Sequence, residues 1–556
     1  MNKKVCSFPI LFALLTLLIG TCAVVFPASA QAAPTSTGSI TVSGTVARSY
    51  DAYQIFSANV IDDNGDAKIA TDLAWASGAA RDAVLPVLHS AGMPNSQTTA
   101  QEAAEWLNTD SHLTSALSAQ LARSLQSSGA VFVALNAGTT AELPCGYWLI
   151  VADDDAIAQG EAGTAPIMAL VGGSAVTVKP KAATPKVAKH VLEDGTAAWQ
   201  KAADATVGDD LYWRLSATVP AGLTAYDTYT VRFVDTMSAG LDPSKVAASM
   251  RVYVAAGTDG GFDAVVTGKD GRAGTEPAKG WTDITAQCTT KVAADGKTFT
   301  VRTGDLIAAL GGADAFTAGA RVVAVYDAPL NSACNHGIAK GNPNEVYLRY
   351  PRSPFADQSG DAGFTRTPSD DACAYTWDLA LTKRGSDGDK PLAGAVLSIA
   401  DDRGRTLAAD GTWDAEGKAI VTTGEDGRVS VSGVDSGKLE VRELKAPKGY
   451  IAFEGTRSVT VKAEGLDVDQ VAAAKPKLTI TAESPLRADS ADGSTGSLEA
   501  SLINTPTGTP PSITTRGFMP STGDMAMYAA AAAAVAGAAL IVVALLVKRG
   551  GGSHKE

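Results

Sequence analysis

A lysine, a glutamate and an asparagine each continue the apolar face of a strand-like segment in the C-terminal half of the chain. In Trp377-Asp-Leu-Ala-Leu-Thr-Lys383, residues Trp377, Leu379 and Leu381 share one face and Lys383 extends it, because residues two apart lie on the same side of a strand. In Leu439-Glu-Val-Arg-Glu443 the face is Leu439 and Val441, and Glu443 follows in phase. In Leu498-Glu-Ala-Ser-Leu-Ile-Asn504 it is Leu498, Ala500 and Leu502, followed by Asn504. An unpaired buried Lys or Glu is costly, so the three are expected to meet. Burial lowers a lysine pKa and raises a glutamate pKa. A neutral amine can attack the Asn carboxamide while a protonated acid polarises it and shuttles protons. Ammonia leaves and an internal Lys–Asn amide remains. A second set has the same composition: Lys189 in Val187-Ala-Lys189-His-Val191, Asp235 ending Tyr229-Thr-Val231-Arg-Phe233-Val-Asp235, and Asn344 opening Asn344-Glu-Val346-Tyr-Leu348-Arg-Tyr350. The competing reading puts one member of each set at a strand end, where a lysine reaches water. Two sets in one chain weigh against it.

The elements that must hold these residues are short strands. Leu211-Tyr-Trp-Arg-Leu, Val322-Val-Ala-Val-Tyr and Val346-Tyr-Leu-Arg-Tyr mark strands of the middle part, and Asp410-Gly411 and Asp426-Gly427 mark turns of the last. The chain is therefore expected to be mainly β, as tandem immunoglobulin-like sandwiches. The sequence divides into 1–30, 31–182, 183–370, 371–506 and a spacer 507–518. The first sandwich carries a helical insertion capped near Thr98-Thr99, with Leu113, Leu117, Leu121 and Leu125 as its apolar stripe.

Other chemistries are largely excluded. Five His (89, 112, 190, 336 and 554) stand singly, so a zinc site or a Ser-His-Asp triad is not expected. Asp62-Asp-Asn-Gly-Asp66 has its Gly too early for an EF-hand loop and reads as a turn. No metal or cofactor is expected, and a net charge of −13 argues against nucleic acid as a partner. Apart from forming its own amide bonds, with Glu443 and Asp235 as the proton-transferring acids, the chain is not expected to be an enzyme.

The ends indicate export. Lys3 and Lys4, an apolar run to Phe26 and Ala28-Ser29-Ala30 read as a signal peptide cleaved after Ala30. Residues 525–547 form an uncharged stretch long enough to cross a bilayer, with the basic tail 548–556 behind it. Four Cys (145, 288, 334 and 373) remain after cleavage; Cys288 with Cys334, within one domain, is the expected pair if they oxidise, and free thiols are the alternative.

Met519-Pro520-Ser521-Thr522-Gly523, directly before the span, resembles the sortase sorting signal of Gram-positive surface proteins, with Met for the usual Leu. Glu443-Leu-Lys-Ala446-Pro447-Lys-Gly449-Tyr450 resembles the E-box of sortase-assembled pilins, and Leu392-Ala-Gly-Ala-Val-Leu-Ser-Ile is similar to the second strand of their collagen-adhesin B-type domains. Ala52-Tyr-Gln-Ile-Phe56, the strand from Gly146 and Gly341-Asn-Pro-Asn-Glu-Val-Tyr-Leu resemble parts of backbone pilins. The resemblance implies collagen-adhesin A-type and B-type sandwiches with Lys383–Asn504 and Lys189–Asn344 bonds, Asn342 being a rival for Asn344. Val176-Thr-Val178-Lys-Pro180-Lys181 resembles the pilin motif, although Gly172 stands where Trp is usual and Lys179 where Tyr is. It implies that Lys181, or failing it Lys179, accepts Thr522 of the next subunit. The implied partners are identical subunits head to tail, pilus-specific and housekeeping sortases, ancillary tip or base pilins, peptidoglycan and host surface ligands. The implied location is the cell wall, and the alternative is a monomeric sortase-anchored adhesin or an ancillary pilin.

Overall fold

The computed structural model describes residues 36–44, 48–62, 68–109, 111–180, 184–221, 223–257 and 280–508. Three sandwiches follow one another. In the first, a three-stranded sheet ordered Thr140–Pro144, Thr37–Val42, Val176–Val178 packs on a sheet built around Ser49–Asp62 and Gly146–Ala152. The alternation of the long strands explains both faces. Tyr50, Ala52, Trp148 and Ile150 point at Ile40, Val42 and Leu143, while Tyr53, Ile55, Leu149 and Val151 pack under the helices Gly78–Ser90, Ala100–Asn108 and Ser115–Ser127. Thr99 and Glu102 form a reciprocal capping box. Leu117, Leu121 and Leu125 are buried. Leu113 is not part of that helix, because the Thr114 side chain accepts from the Leu117 N–H and starts the helix behind it.

The second sandwich pairs one sheet, ordered Ala198–Gln200, Val187–Glu193, Tyr212–Thr218, Arg321–Asp327, Arg251–Ala255 and Trp281–Asp283, with another that runs Ala202–Asp204, Asp370–Tyr375, Asn342–Pro351, Arg232–Met237, Thr298–Arg302 and Thr289–Val292. The boundary expected at 370 falls inside this sheet: Asp370–Tyr375 pairs antiparallel with Asn342–Pro351, so the domain runs to Tyr375 and the third opens at Trp377. Consequently Asn344 does not lie on the last strand of its domain.

In the third sandwich the first strand, Trp377–Gly385, and the last, Ser497–Pro506, lie side by side and parallel. The facing sheet contains Val396–Ala400, Gly437–Lys445, Thr456–Glu464 and Lys477–Ala482. The domains also contact one another. Tyr350 Oη donates to the Glu161 carbonyl at 2.9 Å and Ser353 Oγ to Asp154 Oδ2 at 3.0 Å. Trp377 Nε1 donates to Asp204 Oδ2 at 2.5 Å.

Candidate functional site

Trp377, Leu379, Leu381 and Lys383 all point inward, and Lys383 is 0% exposed. On the neighbouring strand Leu498, Ala500, Leu502 and Asn504 do the same. The parallel register pairs Lys383 with Leu502 and Gly385 with Asn504, so Lys383 and Asn504 are diagonal neighbours on one face. Glu443 reaches them from the opposite sheet. Its carboxylate lies 3.4 Å from Lys383 Nζ and accepts from Asn504 Nδ2 at 2.9 and 3.0 Å. The Phe453 backbone N–H also donates to Glu443 Oε2, at 3.1 Å, and Lys383 Nζ donates to the Leu502 carbonyl at 3.3 Å. Burial is the main cause that brings the Lys383 pKa down to about 8, against the opposing pull of Glu443. The amine is thus far closer to its nucleophilic form than an exposed lysine.

The second set spans both sheets of its sandwich. Lys189 rises from Val187–Glu193, and Asp235 and Asn344 from the adjacent strands of the opposing sheet, where Asp235 pairs with Val346 and Met237 with Asn344. Lys189, Asp235 and Asn344 are all 0% exposed. Lys189 Nζ makes an ion pair with Asp235 Oδ2. Burial lowers the Lys189 pKa to about 8 and raises that of Asp235, with Lys189 opposing in the latter case. Both shifts favour the neutral amine beside the neutral acid. Oδ1 of Asp235, of Asn344 and of Asn504 is buried without a hydrogen-bond partner. A proton on a neighbouring carboxyl would turn an acceptor into the donor such an oxygen needs.

The backbone of Lys189 is also fixed. Its N–H donates to Asp370 Oδ2 at 2.6 Å, and Lys201 Nζ donates to its carbonyl at 2.8 Å. Asn342, the rival for Asn344, is equally buried but is occupied elsewhere. Its Oδ1 accepts from the Asn335 N–H at 2.8 Å, and its Nδ2 donates to the Asn335 carbonyl at 2.8 Å and to that of Ala374 at 3.2 Å.

One group at this site was missed at the level of sequence. The Tyr326 hydroxyl accepts from Lys189 Nζ at 2.8 Å and from Asn344 Nδ2 at 2.9 Å, and donates to Asp235 Oδ2 at 3.0 Å. The signal was present: Tyr326 continues the inward face of Val322 and Ala324, and a phenol hydroxyl in a core must find partners.

The expected Cys288–Cys334 disulfide is not formed, and all four described cysteines are free thiols. Each of the two has its own surroundings. Cys288 Sγ donates to the Ile284 carbonyl at 3.2 Å, and Cys334 Sγ lies 3.5 Å from His336 Nε2. Burial pushes both thiols up to about 11, which keeps them protonated and unreactive. Lys179 is exposed on the edge of the first domain. Lys181, Ala30, residues Met519 to Gly523 with Thr522 among them, and the apolar span lie outside the described residues.

Tandem β-sandwiches, two of which bury a Lys–acid–Asn set, define the class of the chain. Comparison with known proteins gives the following likenesses. Residues 378–475, which include Lys383 and Glu443, match the SpaA family, a prealbumin-like fold domain. A stretch of 143 residues is 31% identical to the trypsin-resistant surface T6 protein of Streptococcus pyogenes serotype M6 and covers 24% of each chain, so the match spans about a quarter of that relative's length. Among solved structures, the T6 backbone pilin of serotype M6 Streptococcus pyogenes is 17% identical over 85% of this chain and 98% of that one, with a TM-score of 0.46. The major pilin SpaD of Corynebacterium diphtheriae is 16% identical over 85% and 98%, with a TM-score of 0.41.

Proposed function

We propose that this chain is the shaft subunit of a covalently polymerised, cell-wall-anchored surface pilus, and that two internal Lys–Asn amides harden it. The observation that carries this reading is the pair of buried sets, Lys383–Glu443–Asn504 and Lys189–Asp235–Asn344. A stand-alone fold gains little from burying a lysine it could have replaced with an apolar residue. Two such sets, one in each of two of the three sandwiches, suit a chain that must bear tension. In the third domain the bond joins the first strand to the last. In the second it joins the two sheets.

The chemistry balances without a cofactor. Lysine Nζ bonds to the asparagine Cγ, and the Cγ–Nδ2 bond breaks. The neutral amine sheds one proton, and the departing nitrogen gains one and leaves as ammonia. The acid, Glu443 or Asp235, supplies the proton to the departing nitrogen and takes up the one that the amine sheds. The dry surroundings of the 0% exposed lysines favour the amide over its hydrolysis.

Polymerisation uses the end of the first domain and the C-terminal end of the mature chain. A pilus-specific sortase would cleave between Thr522 and Gly523 and hold Thr522 as a thioester. Lys181 of the next subunit would attack it and form a Thr522–Lys181 amide. Such head-to-tail contacts do not close on themselves and so build a filament. A housekeeping sortase would then join the fibre to peptidoglycan, with ancillary pilins at tip or base.

The test is an immunoblot of wall extracts boiled in detergent. A high-mass ladder that disappears in Lys181→Ala is expected, while secretion and the internal amides persist. A single band from the wild type would instead make the protein a monomeric anchored adhesin. Survival of the ladder in Lys181→Ala with loss in Lys179→Ala would move the acceptor to Lys179.

A further inference from the structure

The two reactive sets are not built alike. In the third domain Glu443 alone bridges the amine and the carboxamide. Among the described residues no hydroxyl is hydrogen-bonded to Lys383 Nζ or Asn504 Nδ2; the nearest polar supports are the Leu502 carbonyl and the Phe453 N–H. The Tyr450 hydroxyl, on the short strand Tyr450–Ile451 that pairs with Ser497–Pro506, is turned to Asp387 instead.

In the second domain a phenol stands between all three reacting groups. A tyrosine hydroxyl has one proton and two lone pairs, and in Tyr326 each is used within the set. The proton goes to Asp235 Oδ2 (3.0 Å), one lone pair takes a proton of Lys189 Nζ (2.8 Å) and the other a proton of Asn344 Nδ2 (2.9 Å). The side chain is 0% exposed. Its ring is locked edge-on against Phe299, with centroids 4.8 Å apart. Lys189 Nζ lies 5.4 Å from the ring centroids of both Trp213 and Tyr326. No water channel is needed for proton movement, because the hydroxyl touches the donor, the acceptor and the acid at once.

From this geometry we infer that Tyr326 is a third catalytic residue of amide formation in the second domain, relaying a proton between Asp235, Lys189 and the departing nitrogen of Asn344. The inference rests on the reading that Lys189 and Asn344 join. As Nζ bonds to Asn344 Cγ, it must shed a proton. As the Cγ–Nδ2 bond breaks, Nδ2 must gain one. Starting from the neutral amine and the neutral acid, Tyr326 passes its own proton to Nδ2 and takes its replacement from Asp235, and the proton that Lys189 Nζ sheds then returns to Asp235. The hydroxyl ends as it began, and ammonia leaves. Asp235 Oδ1 has no hydrogen-bond partner, and it becomes a donor that a carboxamide oxygen can accept from only when it carries the acid proton. In the third domain the two oxygens of Glu443 must do both jobs.

The test follows the full chain during cell-free synthesis, quenched in acid at intervals and read by intact mass and by cross-linked peptides. Lys383–Asn504 formation serves as the internal clock. In Tyr326→Phe, which keeps the ring, Lys189–Asn344 formation is expected to slow roughly 100-fold or more, the usual scale for loss of a general acid–base group. The third-domain bond should keep its wild-type rate. Trifluorotyrosine at position 326 keeps the ring and the hydroxyl while acidifying it, and is expected to speed the second-domain bond severalfold, because the relay donates the hydroxyl proton to the leaving nitrogen. A Tyr326→Phe chain that closes both bonds at the wild-type rate overturns the relay, as does a fluorinated chain with an unchanged or slower rate. The fluorinated chain decides the matter if Tyr326→Phe fails to fold. A wild-type chain that never forms Lys189–Asn344 defeats the underlying reading instead, and the two failures are thereby told apart.

Discussion

Replacing Glu443 by alanine should cost the third domain an amount that can be worked from its geometry. Lys383 and Asn504 are 121 residues apart, counting from 383 to 504. A cross-link closing a loop of that length removes about 5 kcal/mol of unfolded-state entropy in the loop-closure model. The Phe453 N–H, which donates to Glu443 at 3.1 Å, loses its acceptor at a cost of about 1 kcal/mol. Lys383 is already pulled toward neutrality by burial, so loss of its charge partner adds little. The total is about 6 kcal/mol. The domain runs from 377 to 506, or 130 residues, and at about 2.1 cal/mol/K per residue its melting entropy gives a fall in Tm of about 20 °C. Calorimetry of the full chain, with the mass of each sample recorded, measures this. Asn504→Ala removes the same bond by a different route. Glu443→Ala and Asn504→Ala together should therefore cost much less than their sum. A single variant with wild-type Tm, or a double variant whose loss equals the sum, would refute the reasoning.

Other outcomes follow from the same structure. Asn344→Ala should restore one ammonia mass, lower the second transition and open that domain to protease; its loop, 155 residues from 189 to 344, corresponds to about 5 kcal/mol. Burial raises Asp154 to about 6 from the ordinary 3.8, at the contact between the first and second domains. Its neutral form suits the fold, so its contribution is complete below the ordinary value and is lost as pH rises through about 6. Asp154→Asn should flatten that dependence, as read from urea midpoints on either side of this window. Lys181→Ala should abolish the detergent-stable ladder without altering the internal amides.

The reactive sets were legible because strands alternate. Lys383, Glu443 and Asn504 each sit in phase with apolar neighbours, and nothing but a partner makes that tolerable. The same rule reached Lys189, Asp235 and Asn344, but not the choice between Asn344 and Asn342, which depends on the hydrogen bonds of Asn335. Tyr326 was overlooked because tyrosine is ordinary in a β core, and only three-dimensional proximity shows what its hydroxyl touches. The domain edge at 370 was misjudged because Pro368 reads as a loop, whereas the following residues pair with Asn342–Pro351. The Cys288–Cys334 expectation failed for a related reason. Membership of one domain says nothing about whether two thiols face each other.

The central claim is that the folded chain makes two amide bonds with its own side chains. The intact mass of the purified mature protein tests it most directly. The account requires a mass two ammonia molecules below that of the processed sequence, with one restored by Glu443→Ala and one by Asp235→Ala. A wild-type protein of full sequence mass would contradict it.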